Sequence, residues 1–350
     1  MKRLLSFVRR RPRTLVALTF LAVALAAIGY AATIVVPEVG EPFAPPQAAV
    51  AEPLWRFAFV GDTQQADDRL EPLMATIAGH DVEFVLHLGD MVDEATSDLE
   101  WDRLLAAALK HRLRLMPVVG NHDIRRDYAD DGTSRFRQYF PHLPNTFYHF
   151  RHRGVNFLML NSERSFAAGS EQAAFLRWHL EHHPGTTLAC LHRPTFTASD
   201  RDRGSMFSRR LWLHGALVET DVVACLAGHN HYYERTKPLD GVTYVVSGGG
   251  GGVLRDPAES NSQTAAHVAK VNHYGLAQVF DDRIAVQIRA TDDDRTLDEF
   301  ALPLRPTTHK QGGYHNRHSM ELPPLAELPQ FRREVLEARV PSSNQMPRPW

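Results

Sequence analysis

Cysteine is nearly absent from this chain of 350 residues, which carries only Cys190 and Cys225. Both lie in apolar, strand-like runs, so buried free thiols are expected and a disulfide framework is excluded as the source of stability. An excess of one charge is lacking too. The 39 Lys and Arg against 41 Asp and Glu leave a formal net charge of -2, which offers no basic field to hold nucleic acid, so no nucleic-acid partner is expected. Internal repeats are missing as well. Hydrophobic residues at 43% and charged residues at 23% exclude wholesale disorder and allow a large core. What the chain has in quantity is histidine, 19 residues, and its placement carries the argument.

The one long hydrophobic run lies near the start. Residues 14–36 contain no charged side chain and follow Lys2, Arg3, Arg9, Arg10, Arg11 and Arg13. As a helix they span roughly 34 Å, which matches a hydrocarbon core of about 30 Å. Residues 1–36 therefore read as a cytoplasmic stub and transmembrane anchor, and the positive-inside rule places the rest outside, as a membrane-anchored extracytoplasmic domain, periplasmic or extracellular. A cleaved signal peptide is the competing reading, from the small residues at 24–32, and it exports the chain equally. Residues 37–53, with five prolines, read as an extended linker.

Between 54 and 304 the pattern is globular. Strands are expected at 56–60, 82–88, 113–119, 155–160, 186–191 and 222–226, with helices at 69–78, 98–109, 170–182 and 208–218 between several of them. Strands at 241–246, 275–280, 284–288 and 297–302 follow without intervening helices. This order predicts a mixed α/β (α+β) sandwich. Residues 305–350 read as a polar, proline-rich tail with one candidate helix at 326–340.

Five of the expected strands end in polar clusters: Gly61-Asp62-Thr63-Gln64, Gly89-Asp90-Met91-Val92-Asp93, Gly120-Asn121-His122-Asp123, Leu191-His192-Arg193-Pro194 and Gly228-His229-Asn230-His231. A single Gly-Asp after a strand signals only a turn. Five of them, each in the loop beyond a strand where α/β folds bind ligands, gather carboxylates, an amide and imidazoles on one side of a sheet. That oxygen and nitrogen set suits Mn, Fe, Zn or similar divalent ions.

In this order the clusters resemble the calcineurin-like metallophosphoesterase superfamily, over about residues 57–252. The resemblance implies a four-layer fold, two facing mixed β-sheets flanked by helices, and a cofactor of two divalent metal ions (Mn, Fe, Zn or Mg). It implies Asp62, Asp90 and His231 at the first metal, with Gln64 beside it where many members have histidine. It implies Asp90, Asn121, His192 and His229 at the second. The implied reaction is hydrolysis of a phosphomonoester or phosphodiester by a hydroxide bridging the metals, with His122 as general acid and Asp93 as its orienting partner. Asp123 reads as a structural acceptor. Arg193 and Arg125, with Arg126, are candidates for substrate phosphate, because a guanidinium pairs two phosphate oxygens. A small-molecule or lipid-linked phosphoester is the expected substrate, with no obligate protein partner.

Two departures narrow the resemblance. Gln64 offers only an amide oxygen, which weakens the first metal and is the main sequence support for a competing reading, a non-catalytic, metal-stabilised binding or scaffold protein at the membrane. The run Gly228 to Arg235 looks like the end of purple acid phosphatases, yet Asp93 stands where that group has a tyrosinate, so an Fe(III) purple centre is unsupported. Glycines 248–252 suit either close backbone approach or a loose turn. His87, His149, His179 and His273 default to core or surface roles.

Overall fold

Strand β1, Trp55–Val60, sends Phe57 and Phe59 to one side and Ala58 and Val60 to the other. Both sides are apolar, so the two-residue period places β1 in a sheet covered on both faces. The computed structural model describes residues 37–44, 52–125, 132–199, 208–218, 220–257, 264–305 and 318–322. The expected anchor at 14–36, Arg126 and the candidate helix at 326–340 lie outside them.

The further strands are β2 (Val85–His87), β3 (Leu115–Pro117), β4 (Tyr148–His152), β5 (Val155–Met159), β6 (Thr187–Leu191), β7 (Val222–Ala227), β8 (Tyr233–Thr236), β9 (Thr243–Ser247), β10 (Ala265–Ala269), β11 (His273–Val279), β12 (Arg283–Ala290), β13 (Thr296–Pro303) and β14 (Ser319–Met320). Helices α1 (Asp67–Ala78), α2 (Asp98–Lys110), α3 (Ser134–Tyr139) and α4 (Glu171–His182) precede a π-helical turn, Arg210–His214, that runs into Gly215–Leu217. Serines start two of the helices. Ser97 accepts from the Glu100 amide and Ser170 from the Ala173 amide, so each satisfies one of the backbone donors that a helix start leaves over.

One sheet runs in the order β13-β12-β11-β1-β2-β3 and the other β10-β8-β9-β7-β6-β5-β4-β14. Strands β1, β2 and β3 are parallel, as are β5, β6, β7 and β9. The sheets face each other across an aromatic layer, where Phe57 meets Phe157 and Phe84 meets Phe150 edge-to-face, both at 5.5 Å. Leu70, Leu73 and Ile77 of α1 with Trp101 and Leu104 of α2 cover the outer face of the first sheet. Phe175 and Leu176 of α4 with Leu213 and Leu217 cover that of the second. The result is the expected four-layer sandwich.

Some elements differ from the sequence reading. Strands β4, β8, β10 and β14 and helix α3 were not expected, and the turn at 208–218 is partly π-helical. Part of the linker is docked rather than extended: the Gly40 amide donates to the Pro238 carbonyl at 2.8 Å and the Glu38 amide to Asp240 Oδ1 at 2.9 Å. Residues 319 and 320 of the tail pair with His149 and Phe150 as an edge strand. Cys190 and Cys225 are buried and free. Cys225 lies opposite Ala189 in the register, so the thiols face opposite sides of their sheet. Among the described residues no helix is long and apolar enough to cross a membrane.

Candidate metal centre

The loops that follow β1, β2, β3, β6 and β7 converge beyond the carboxyl ends of these parallel strands, as topology requires. Asp62 and Asp90 are buried there, and the backbone turns sharply to aim them. Asp62, Asp90 and His229 have φ of 61°, 52° and 70°, in the left-handed region that costs a non-glycine residue free energy and that clusters at functional sites. The chain also packs too closely for side chains. A Cβ on Gly120 would meet the Asp90 amide nitrogen at 2.1 Å, and one on Gly248 would meet the Asn230 carbonyl at 2.3 Å. The glycine run 248–252 therefore follows the site closely, with the Gly252 amide donating to the Asp62 carbonyl at 3.0 Å.

Asp90 is the hub. Its Oδ1 accepts from the His122 amide at 2.8 Å, while its Oδ2 lies 3.2 Å from His192 Nε2 and accepts from Gln64 Nε2 at 3.3 Å. His192 Nε2 also lies 3.2 Å from Asn121 Oδ1 and 3.2 Å from His229 Nδ1. His231 Nε2 sits 3.4 Å from Asp62 Oδ1 and 3.3 Å from the Gln64 amide nitrogen. All seven expected metal residues thus meet in one cluster. Asp62 Oδ1 and Gln64 Oε1 are buried there without a hydrogen-bond partner.

Two carbonyls fix the imidazoles. His192 Nδ1 donates to the Leu88 carbonyl at 2.9 Å and His231 Nδ1 to the Val253 carbonyl at 2.8 Å. Each ring therefore turns Nε2 toward the carboxylates, the arrangement in which a metal-binding histidine has its tautomer set by its other nitrogen. Burial pushes the His192 ring down, but Asp90 beside it outweighs burial and pushes it up to about 10. Burial likewise pushes the Asp90 carboxyl up, and the His192 charge holds it well below the usual range. Asp123 accepts from the Asp90, Met91 and Gly120 amides at 2.9, 2.8 and 2.7 Å. It is a structural acceptor, as expected.

His122 stands at the rim of an open cleft of about 250 Å³, which Asp93, Asn121 and Arg125 also line. Its Nδ1 donates to the main-chain carbonyl of Asp93 at 2.8 Å, while the Asp93 carboxylate is 3.5 Å away and accepts from Gln65. The orienting partner is thus first the Asp93 backbone and only second its side chain. Arg193 is drawn sideways: its Nε donates to Glu163 at 2.5 Å and its Nη1 lies 3.1 Å from His229 Nε2. Larger hollows of about 450 and 630 Å³ lie elsewhere and contain none of these clusters.

Sequence reasoning missed Glu163 and the two orienting carbonyls. Glu163 follows β5 in the same kind of strand-end loop, a signal that could have found it, but Asn161-Ser162-Glu163 lacks the glycine and histidine that marked the other ends. The Leu88 and Val253 carbonyls carry no side-chain signal.

Against known proteins, a family model described as calcineurin-like phosphoesterase matches residues 56–233. The chain is 29% identical to purple acid phosphatase 21 of Arabidopsis thaliana over 219 residues, which cover 56% of this chain and 49% of that protein. In fold it is similar to purple acid phosphatase PPD1 from yellow lupin (Lupinus luteus) seeds, with a TM-score of 0.62 at 20% identity over 74% of this chain and 55% of that one. It is also similar to GAP50, described as the anchor in the inner membrane complex of Plasmodium, with a TM-score of 0.57 at 14% identity over 77% of this chain and 97% of that one. The chain spans about half the length of the curated relatives it matches. Because the family model takes in just over half of the sequence, including all five strand-end clusters, the chain belongs to the calcineurin-like phosphoesterase family.

Proposed function

We propose that this protein is a metal-dependent phosphoesterase acting on phosphomonoesters or phosphodiesters. The observation that carries the reading is the cluster itself, in which seven side chains turn oxygen and nitrogen atoms toward one centre. The donor set fits two divalent ions. Asp62, Asp90 and His231 would hold one, with Gln64 beside it, and Asp90, Asn121, His192 and His229 the other, while Asp62 Oδ1 and Gln64 Oε1 are buried acceptors without a hydrogen-bond partner. Such a pair supplies Lewis acidity that activates water and neutralises phosphate oxygens.

The chain's own residues supply the rest. Because His122 Nδ1 is committed to the Asp93 carbonyl, its Nε2 carries a proton for delivery only as the imidazolium, whose charge faces the Asp93 carboxylate oxygen at 3.5 Å. Its place at the cleft rim suits proton transfer to a leaving oxygen. Arg125 on the same cleft and Arg193 beside His229 are the cations we assign to substrate phosphate. The uncharged run at 14–36 supports attachment to a membrane, with the catalytic domain on the extracytoplasmic face.

The test is hydrolysis of p-nitrophenyl phosphate and bis-p-nitrophenyl phosphate by the detergent-solubilised full chain, after chelation and then with Mn, Fe(II), Zn or Mg. Metal-dependent turnover that falls about 10²-fold or more in His122→Gln is expected. Folded, metal-loaded protein without turnover on either ester would favour the binding or scaffold reading, for which Gln64 speaks.

A further inference from the structure

A second group of imidazoles lies away from this centre. His149 of β4 faces the C-terminal end of α4, where His179 and His183, four residues apart, fall on one side of the helix. The three ring centroids are 4.5 to 5.0 Å apart, and one nitrogen from each ring can be chosen so that all three lie within 4.8 Å of one another. His149 and His179 are almost wholly buried, at 3% and 1% exposure. Their packing leaves polar atoms over: His149 Nδ1 and both nitrogens of His179 have no hydrogen-bond partner. Buried nitrogens of that kind ordinarily find one.

The surroundings orient the group. His149 Nε2 lies 3.3 Å from Asn156 Oδ1, where it donates, which leaves the Nδ1 lone pair pointing away from Asn156. Asn156 Nδ2 donates in turn to the His183 carbonyl at 3.0 Å. One amide thus sets the tautomer of the strand histidine and ties down the end of the helix that bears the other two, the supporting role that second partners play around metal-binding histidines. Asn156 is in β5 and its neighbour Thr187 opens β6. The group therefore lies toward the amino ends of the parallel strands, whereas the carboxylate-lined centre lies beyond their carboxyl ends.

We propose that His149, His179 and His183 form a separate, imidazole-only metal site that takes one zinc ion and clamps the end of α4 to β4 and β5. Three neutral imidazoles without a carboxylate select a borderline ion such as zinc over magnesium, calcium or manganese. A tetrahedral zinc ion with bonds of about 2.0 Å needs ligand nitrogens roughly 3.3 Å apart, so the stacked rings must turn edge-on and close in as the ion enters. The clamp also reaches the tail, because the His149 amide donates to the His318 carbonyl at 2.9 Å.

The site is tested by zinc content, independently of whether the chain hydrolyses phosphoesters. The full chain in detergent is equilibrated with zinc, dialysed and measured by mass spectrometry beside His183→Gln and His182→Gln. His182 stacks on Trp178 and is not one of the three. We expect His183→Gln to lose one zinc equivalent per chain and any zinc-dependent rise in Tm from this site, while His182→Gln matches the wild type. Equal zinc content in wild type and His183→Gln would overturn the proposal. A second measurement needs no variant: long-range 1H–15N spectra of the histidine rings, recorded as zinc is added to wild-type protein. Shifts of the His149 and His179 ring nitrogens support the site, and rings that stay in place at saturating zinc overturn it.

Discussion

Burial acts on the imidazoles of both histidine clusters in the same direction, against the charged form, yet the clusters end at opposite extremes. At the strand ends, burial of His192 is outweighed by Asp90, and the ring is pushed up to about 10. At the end of α4, burial is reinforced by neighbours of the same kind. His149 is pushed down to about 3, with His183 and Arg151 adding to burial, and His179 to about 2, with His149, His183, His318 and His182 adding to it. Nearby carboxylates, Asp90 first and then Asp62 and Glu163, thus make a buried imidazole attract positive charge, where the α4 rings exclude protons. A histidine count in a sequence does not distinguish the two cases.

The largest effect is expected from removing that carboxylate. Asp90→Ala takes away the hub shared by both expected metal sets and leaves His192 facing Asn121 and His229. We expect phosphoester turnover to fall by about 10³-fold or more, because the Lewis-acid contribution amounts to several kcal/mol. Metal analysis of the same preparation should show fewer ions bound at the centre. A variant that kept its ions and its turnover would remove the distinction drawn between the clusters.

Much of the centre was legible because each expected metal residue sits in a side-chain pattern directly after an apolar run. The order of expected strands and helices gave a mixed α/β sandwich and the resemblance implied its four layers, which the structure builds with Phe57 and Phe59 turned inward and Ala58 and Val60 outward. What stayed hidden is written in the backbone. The left-handed φ of Asp62, Asp90 and His229, and the Leu88 and Val253 carbonyls that hold two rings, have no letter in the sequence. For the same reason Asp93 was expected to meet His122 through its carboxylate, whereas its carbonyl makes the closer contact. Strand β4 was missed because its outward side is His149 and Arg151, which look like a solvated face, while Tyr148 and Phe150 pack between the sheets. His149 on that side in fact packs against His179 and His183 at the end of α4.

The α4 cluster makes a second prediction, of intermediate size, for protein stripped of metal by a chelator. His149 and His179 have folded values below the ordinary value near 6.5. Below pH 6.5 the unfolded chain therefore binds more protons than the folded one. Stability is full above that pH and is lost as pH falls toward the folded values. Two such groups contribute a slope of about 2.7 kcal/mol per pH unit between roughly pH 6 and pH 4. Urea unfolding of wild type and His149→Gln/His179→Gln across that range measures it. The double variant, if it folds, should show a shallower dependence on pH, and equal slopes would mean that these rings are solvated and charged in the folded state.

The smallest expected effect concerns Arg193, which links the carboxylate-lined centre to its surroundings. Its guanidinium is held by Glu163 and approaches His229 Nε2, so it either braces that ring or stands ready to meet a phosphate. Steady-state kinetics separate the two roles. Contact with bound phosphate predicts that Arg193→Gln raises KM about tenfold with kcat nearly unchanged, the equivalent of roughly 1.4 kcal/mol from one charge-assisted hydrogen bond. A brace predicts the reverse, a lower kcat and weaker metal retention at constant KM, because the ring would lose its orientation rather than the substrate a partner. Glu163→Gln sharpens the choice. Loosening the guanidinium frees it for phosphate in the first case and so leaves KM equal or lower, whereas in the second it reproduces the Arg193→Gln defect.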